Sequence, residues 1–237
     1  MAGETIMSVS PSSPAPAENQ SAASVDLAWR RHIPALASAA AGIRQASDAW
    51  DSVSDSFCDT DGWPVDEHGY EDGKVKRDAE AWRHVEVFLD HGPEVLAGVR
   101  ATARSADYTE GPISEELHWL RGIDATLEHA GQLQREWDQI LVLMDASMPG
   151  SRKLYEDRAK EERNADGWHY ADELAIRGPA LVRAADHLSR RADAERSAHT
   201  TRARAALARS ASGIRGTLPP SPPAPPAPGA PVPGRSR

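Results

Sequence analysis

Residues 77–99 read RDAEAWRHVEVFLDHGPEVLAGV, and residues 163–185 read RNADGWHYADELAIRGPALVRAA. Arg77, Ala79, Trp82, Gly92 and Pro93 recur at one constant offset as Arg163, Ala165, Trp168, Gly178 and Pro179. Glu80 falls on Asp166, Val95 on Leu181 and Leu96 on Val182. A fixed-offset match of this kind reads as an internal repeat of one helical unit. Upstream, Tyr70-Glu71-Asp72 matches Tyr155-Glu156-Asp157 after an insertion of one residue. Trp29 and Trp50 also align with Trp119 and Trp137, at unequal spacing. Chance likeness between two amphipathic helices of similar composition is the alternative.

Composition agrees with helix. Phe, Tyr, Val and Ile are scarce, whereas Ala, Arg, Asp and Glu are abundant. Those residues lose little rotamer freedom on a helix and pack poorly on a pleated sheet. The single cysteine, Cys58, excludes an internal disulfide framework and fits a reducing compartment, so a cytoplasmic protein is expected. No apolar run reaches the roughly 18–20 residues of a membrane span, and no secretory signal pattern opens the chain. A net charge of −9 argues against nucleic-acid binding by the whole protein.

Taken in order, residues 1–23 are Ser/Pro/Ala-rich and expected to be disordered. Met7 is an alternative start. Helix one is expected from about Val25 to Phe57, with Ser24 as its cap and a break or kink at Pro34. Its stripe of Ile33, Leu36, Ala40, Ile43, Ala46, Trp50, Val53 and Phe57 advances by three and four residues, the period of one buried face. Residues 58–74, with their glycines, proline and acids, read as a long loop. Helix two is expected from Val75 to His91. Gly92-Pro93 then serves as a cap and restart, or as a kink, before a continuation to about Ser105. After a loop at 106–112, helix three spans about Ile113 to Met144. Its line of Leu117, Leu120, Ile123, Leu127, Ala130, Leu133, Trp137, Ile140 and Met144 makes it the most buried. Met148-Pro149-Gly150-Ser151 is a turn. Helix four runs from Arg152 to about Ser210, and its apolar stripe fades after Ala192.

The expected fold is therefore all-α: four long helices forming two tandem antiparallel hairpins in a coiled-coil-like four-helix bundle. Repeat unit one covers about 25–105 and unit two about 113–192, within a bundle of 24–192. Trp50, Trp82, Trp137 and Trp168 lie on apolar lines and are expected to be mostly buried. A basic helical extension at 193–215 and a disordered Pro/Ala-rich tail at 216–237 follow.

Three stretches offer chemistry. In the acidic loop, Asp59, Asp61, Asp66, Glu67 and His68 are candidate metal ligands. Asp59-x-Asp61-Gly62 resembles half of a calcium loop, but Trp63-Pro64 interrupts the ligand run. Glu115-x-x-His118 has the spacing of a carboxylate–histidine site in a helical bundle, although His118 lies off the Leu117/Leu120 line. Arg190, Arg191, Arg196, Arg202, Arg204 and Arg209 on the last helix are candidates for contacting phosphates, an acidic partner or the acidic loop. No aromatics interleave with them, so base stacking is not indicated.

Phosphate-loop, nucleophile-elbow and paired-thiolate zinc motifs are absent from the sequence, and no cofactor is expected. The leading functional expectation is a non-enzymatic interaction or scaffold protein that binds a protein partner or itself, away from membranes. A metal-binding helical protein or enzyme is the alternative, and nucleic-acid association through the basic helix is the second.

Overall fold

The computed structural model describes residues 28–213, with side-chain surroundings through residue 210. The expected tails at 1–23 and 216–237, the Ser24 cap and the Met7 start lie outside the described residues. Within them the chain is helical: α1 (Ile33–Ser54), α2 (Glu67–Thr102), α3 (Ser105–Thr109), α4 (Ser114–Ser147), α5 (Ser151–Asp166) and α6 (Trp168–Gly213). Short 3-10 turns at Ala28–His32 and Asp55–Phe57 flank α1. A lone bridge between Cys58 and Pro64 is the only extended pairing among the described residues.

Four long helices were expected, and six helices are found. Two local causes add a helix each, at Asp107 and Gly167, and a third moves the start of α2. The expected loop at 58–74 is a loop only through Asp66. Its second half is the first two turns of α2, because the Asp66 carboxylate accepts a hydrogen bond from the Gly69 N–H at 2.9 Å and caps the helix there. The 106–112 loop contains α3, opened by Asp107, whose carboxylate turns back onto the Arg104 N–H at 2.7 Å. The last helix is interrupted at Gly167, where the six-membered edge of the Trp82 indole occupies the space a Cβ would need. A side chain there would collide with the ring, so glycine and the interruption go together.

Pro93 does not break its helix: α2 continues through it. A helical proline costs roughly 3 kcal/mol. Phe88, Val95, Leu96 and Val99 are buried on either side of it, so packing of the whole face offsets that cost. Pro34 falls in the first turn of α1, where its missing N–H has no partner to lose.

The pairing of helices follows from their contacts. Trp29, His84 and Trp50 occupy the space beside Gly98, Gly42 and Gly73, so α1 and its 3-10 entry run antiparallel to α2. Arg183 reaches Glu116, and Thr126 reaches Glu173, so α6 runs antiparallel to α4. Gly92 on α2 meets Leu127 on α4, and Gly178 on α6 meets Phe88 and Ala40. Helix α5 packs beside both α4 and α2.

One apolar core collects these faces. Its largest fully buried members include Trp82, Phe88, Leu36, Ile43, Leu96, Ile123, Leu174, Leu181 and Leu188. The described chain divides after Arg191 into two compact units, and every core residue belongs to the first. The second unit, from Ala192, is helical to Gly213 with exposed or half-exposed side chains.

The tryptophans differ in depth. Trp50 and Trp82 are buried, and so is Trp29. Trp137 and Trp168, also enclosed for the most part, keep an edge in solvent. Helix α4 departs from its predicted line. Leu117 to Ala130 face the core as expected, but Ile140 is 42% exposed while its neighbour Leu141 is 5% exposed. Beyond Ala130 the partner is the short helix α5, which approaches from another side.

Candidate functional site

The acidic loop spends its carboxylates on its own backbone. Asp59 Oδ1 accepts hydrogen bonds from the N–H groups of Asp61 and Trp63, both at 2.9 Å. The Asp59 N–H in turn donates to the Trp63 carbonyl at 2.8 Å. Gly62 takes φ +83° inside this turn, a conformation that suits glycine. Asp66 is the cap of α2, and Glu67 and His68 are exposed on its first turn. Among the described residues, no three His, Cys, Asp or Glu side chains converge in an arrangement able to hold a metal ion. Glu115 and His118 are exposed, and the His118 Nδ1 lies 2.5 Å from the Ser114 carbonyl one turn back.

The candidate arginines part company. Arg191 is structural. Its Nη1 donates to both oxygens of Asp107 at 2.7 and 2.9 Å, and its Nη2 donates to the Thr102 carbonyl at 3.1 Å. It thereby ties α6 to the α2–α3 junction. The hydrogen bond from Arg191 holds the Asp107 carboxyl below the usual aspartate range, against the opposing effect of burial. Arg190 pairs with Asp186, and Arg196 with Asp193, each within one helical turn. Arg202, Arg204 and Arg209 are exposed in the second unit. Arg183 pairs with Glu116 on α4.

Two further arginines, Arg77 and Arg163, which recur at equal positions in the two matched stretches, build a second feature. The Arg77 guanidinium lies over the Trp168 ring, 3.7 Å from its centroid. Arg163 lies over Trp82 at 4.8 Å. Each arginine also grips the side chain that follows it. Arg77 Nε and Nη2 donate to Asp78 Oδ1 at 2.8 and 2.6 Å. Arg163 Nε and Nη2 donate to Asn164 Oδ1 at 3.3 and 2.9 Å. Asp78 and Asn164 are both buried. Burial pushes the Asp78 carboxyl above the usual aspartate range, with the Arg77 hydrogen bond pulling the other way. The signal was present in the repeat: paired Arg and paired Trp five residues apart can reach across to one another's copies.

Beside the second brace an open cleft of about 720 Å³ is lined by both charge signs, among them Asp72, Lys76, Glu86, Asp157, Lys160 and Arg163. The opposed charges neutralise one another, which disfavours selection of either an anion or a cation.

At the α4–α5 turn the surface changes character. Gly150 takes φ +88°, the left-handed conformation the turn requires. Around it Ile140, Val142, Leu143, Met148, Leu154 and Tyr155 are all exposed, with Leu143 at 66% and Leu154 at 75%. A shallow groove of about 390 Å³ lies between Ile140, Leu143, Met144, Ser147, Met148 and Ser151. Ser151 is 1% exposed, and its hydroxyl has no hydrogen-bond partner among the described residues.

No protein-family model matches the chain, and no curated protein or solved structure matches it either. No helix among the described residues is long and apolar enough to cross a membrane.

Proposed function

We propose that this is a non-enzymatic interaction or scaffold protein of the cytoplasm, built from a duplicated helical hairpin arranged as a pseudo-twofold four-helix bundle. The observation that carries the functional reading is the concentration of exposed apolar side chains between Ile140 and Tyr155. Apolar surface of this kind is costly to leave in water and marks sites that a partner covers. The polar candidates support the same reading, because Asp59, Asp66, Asp107 and Arg191 are committed to caps and braces.

The duplication is supported by reciprocity. Arg77 stacks on Trp168, and Arg163, its counterpart, stacks on Trp82, the counterpart of Trp168. Gly92 faces Leu127, while Gly178 faces Ala40, the residue that the Trp50/Trp137 alignment sets opposite Leu127. A rotation exchanging the two halves produces such crossed pairs. The cytoplasmic setting rests on the lone cysteine.

The test is to isolate the intact chain from its own cells under native conditions, then measure its mass and metal content. A stoichiometric complex with protein is the expected result. A bare chain carrying one equivalent of iron, zinc or calcium would overturn the reading in favour of a metal protein.

A further inference from the structure

We infer that the α4–α5 end is a docking surface for a second copy of this chain, with Trp63 of each copy seated in the groove of the other. The inference rests on the interaction reading above and names the partner. Trp63 is 73% exposed, and the adjacent Val65 is 71% exposed. An indole in water is an expense a monomer has little reason to bear, and burying one removes roughly 150–250 Å² of surface.

The backbone that carries the ring is also held in place. The Asp59–Trp63 hydrogen bonds and the Cys58–Pro64 bridge close the loop beneath it, so little conformational freedom is left to lose on docking. The groove offers what an indole needs. Ile140, Leu143, Met144 and Met148 supply apolar walls, and the buried Ser151 borders them.

Knob and groove lie at one end of the molecule. Asp72, Val75 and Lys76 of α2 share a cleft with Asp157, Lys160 and Glu161 of α5, which sets the second and third turns of the two helices side by side. The loop leading into α2 and the turn leading into α5 are therefore neighbours, and a twofold axis through that end lets each copy give and receive. Charge agrees. The knob loop carries Asp55, Asp59 and Asp61, whereas exposed Arg152 and Lys153 flank the groove. Two indoles, with Leu143, Met148 and Leu154 of each copy, move the buried surface toward the roughly 800 Å² per partner of a stable dimer.

Sedimentation equilibrium of the intact chain tests this. The wild-type protein is expected to dimerise. Trp63→Ala and Leu143→Glu should each raise the dissociation constant at least about tenfold while leaving the helical circular dichroism unchanged. A chain that stays monomeric at every attainable concentration overturns the inference, as does a dimer indifferent to both substitutions. A chain ending at Gly213 that dimerises where the intact chain does not would place the proline-rich tail over the groove and overturn it as well. A monomer that still leaves its own cells in a protein complex would defeat this inference and spare the interaction reading. Stoichiometric metal would defeat that reading instead.

Discussion

Two braces of the same shape hold the molecule across its middle, and they differ by one charge. Arg77 grips Asp78 and covers Trp168, whereas Arg163 grips Asn164 and covers Trp82. The hydrogen bonds go to the same acceptor atom, Oδ1, in each. An amide therefore suffices to orient the guanidinium, and the carboxylate of Asp78 adds a buried negative charge that geometry does not require. The rings differ more. Trp82 is 1% exposed beneath Arg163, while Trp168 is half-buried. Stacking is common to the two sites, and depth is not.

The largest expected effect breaks that comparison at its deeper ring. Trp82→Ala should destabilise the fold by about 4 kcal/mol, because it empties a core site that Gly167 is shaped to border. Trp168→Ala should cost clearly less, since its ring already meets solvent. Urea unfolding of the two variants measures the difference, and equal losses would mean that the rings are equivalent after all.

Gly178→Ala should cost about 2 kcal/mol, because a Cβ there stands 2.7 Å from Phe88 Cζ. Gly92→Ala should cost less, since the atom it meets at 2.7 Å is the flexible end of Leu127. Thermal melts of the pair check the ordering.

Arg191→Ala should cost about 1.5 kcal/mol at neutral pH, the value of a hydrogen bond to a charged group. The pH dependence has a definite sign. Asp107 titrates below the usual range when folded, so its contribution is present above the ordinary aspartate value and is lost as pH falls through the lowered one. The gap between Arg191→Ala and wild type should close on acidification through that window.

Asp78 sharpens the contrast, because its shift is opposite. Its folded carboxyl holds its proton more tightly than the unfolded one, so stability falls as pH rises from about 3.8 through the raised value. Asp78→Asn makes the first brace chemically equal to the second. It should remove that fall, so that the variant gains on the wild type as pH rises through the raised value. Urea midpoints across a pH series would show the flattened slope, and a retained slope would assign the fall to another group.

Much of this was legible in residues 77–99 and 163–185. The recurrence of Trp82 and Trp168 pointed to matched sites, and the three-and-four spacing of Leu36, Ile43 and Trp50 named a face that is buried. What escaped the sequence reading was decided by groups distant in the chain. Gly167 reads as an ordinary mid-helix glycine until Trp82, from another helix, is placed against it. Glu67 to Lys74 read as loop because the capping hydrogen bond from Gly69 to Asp66 is a single contact with no periodic signature. Ile140 sits on the predicted stripe of α4 and is still exposed, because α5 covers Leu141 instead. The candidate docking groove was hidden for the same reason: Ile140 and Met144, which line it, sit on the predicted stripe and read as core residues.

Sequence alone determined that this chain would be helical, where most turns would fall and which side of each helix is apolar, because those properties depend on neighbours three or four residues away. Tertiary structure decided which indoles are enclosed, which arginine braces which carboxylate and which apolar side chains are left in water. Those outcomes depend on what another helix sets opposite a given face, and that is not encoded in the periodicity of the face itself.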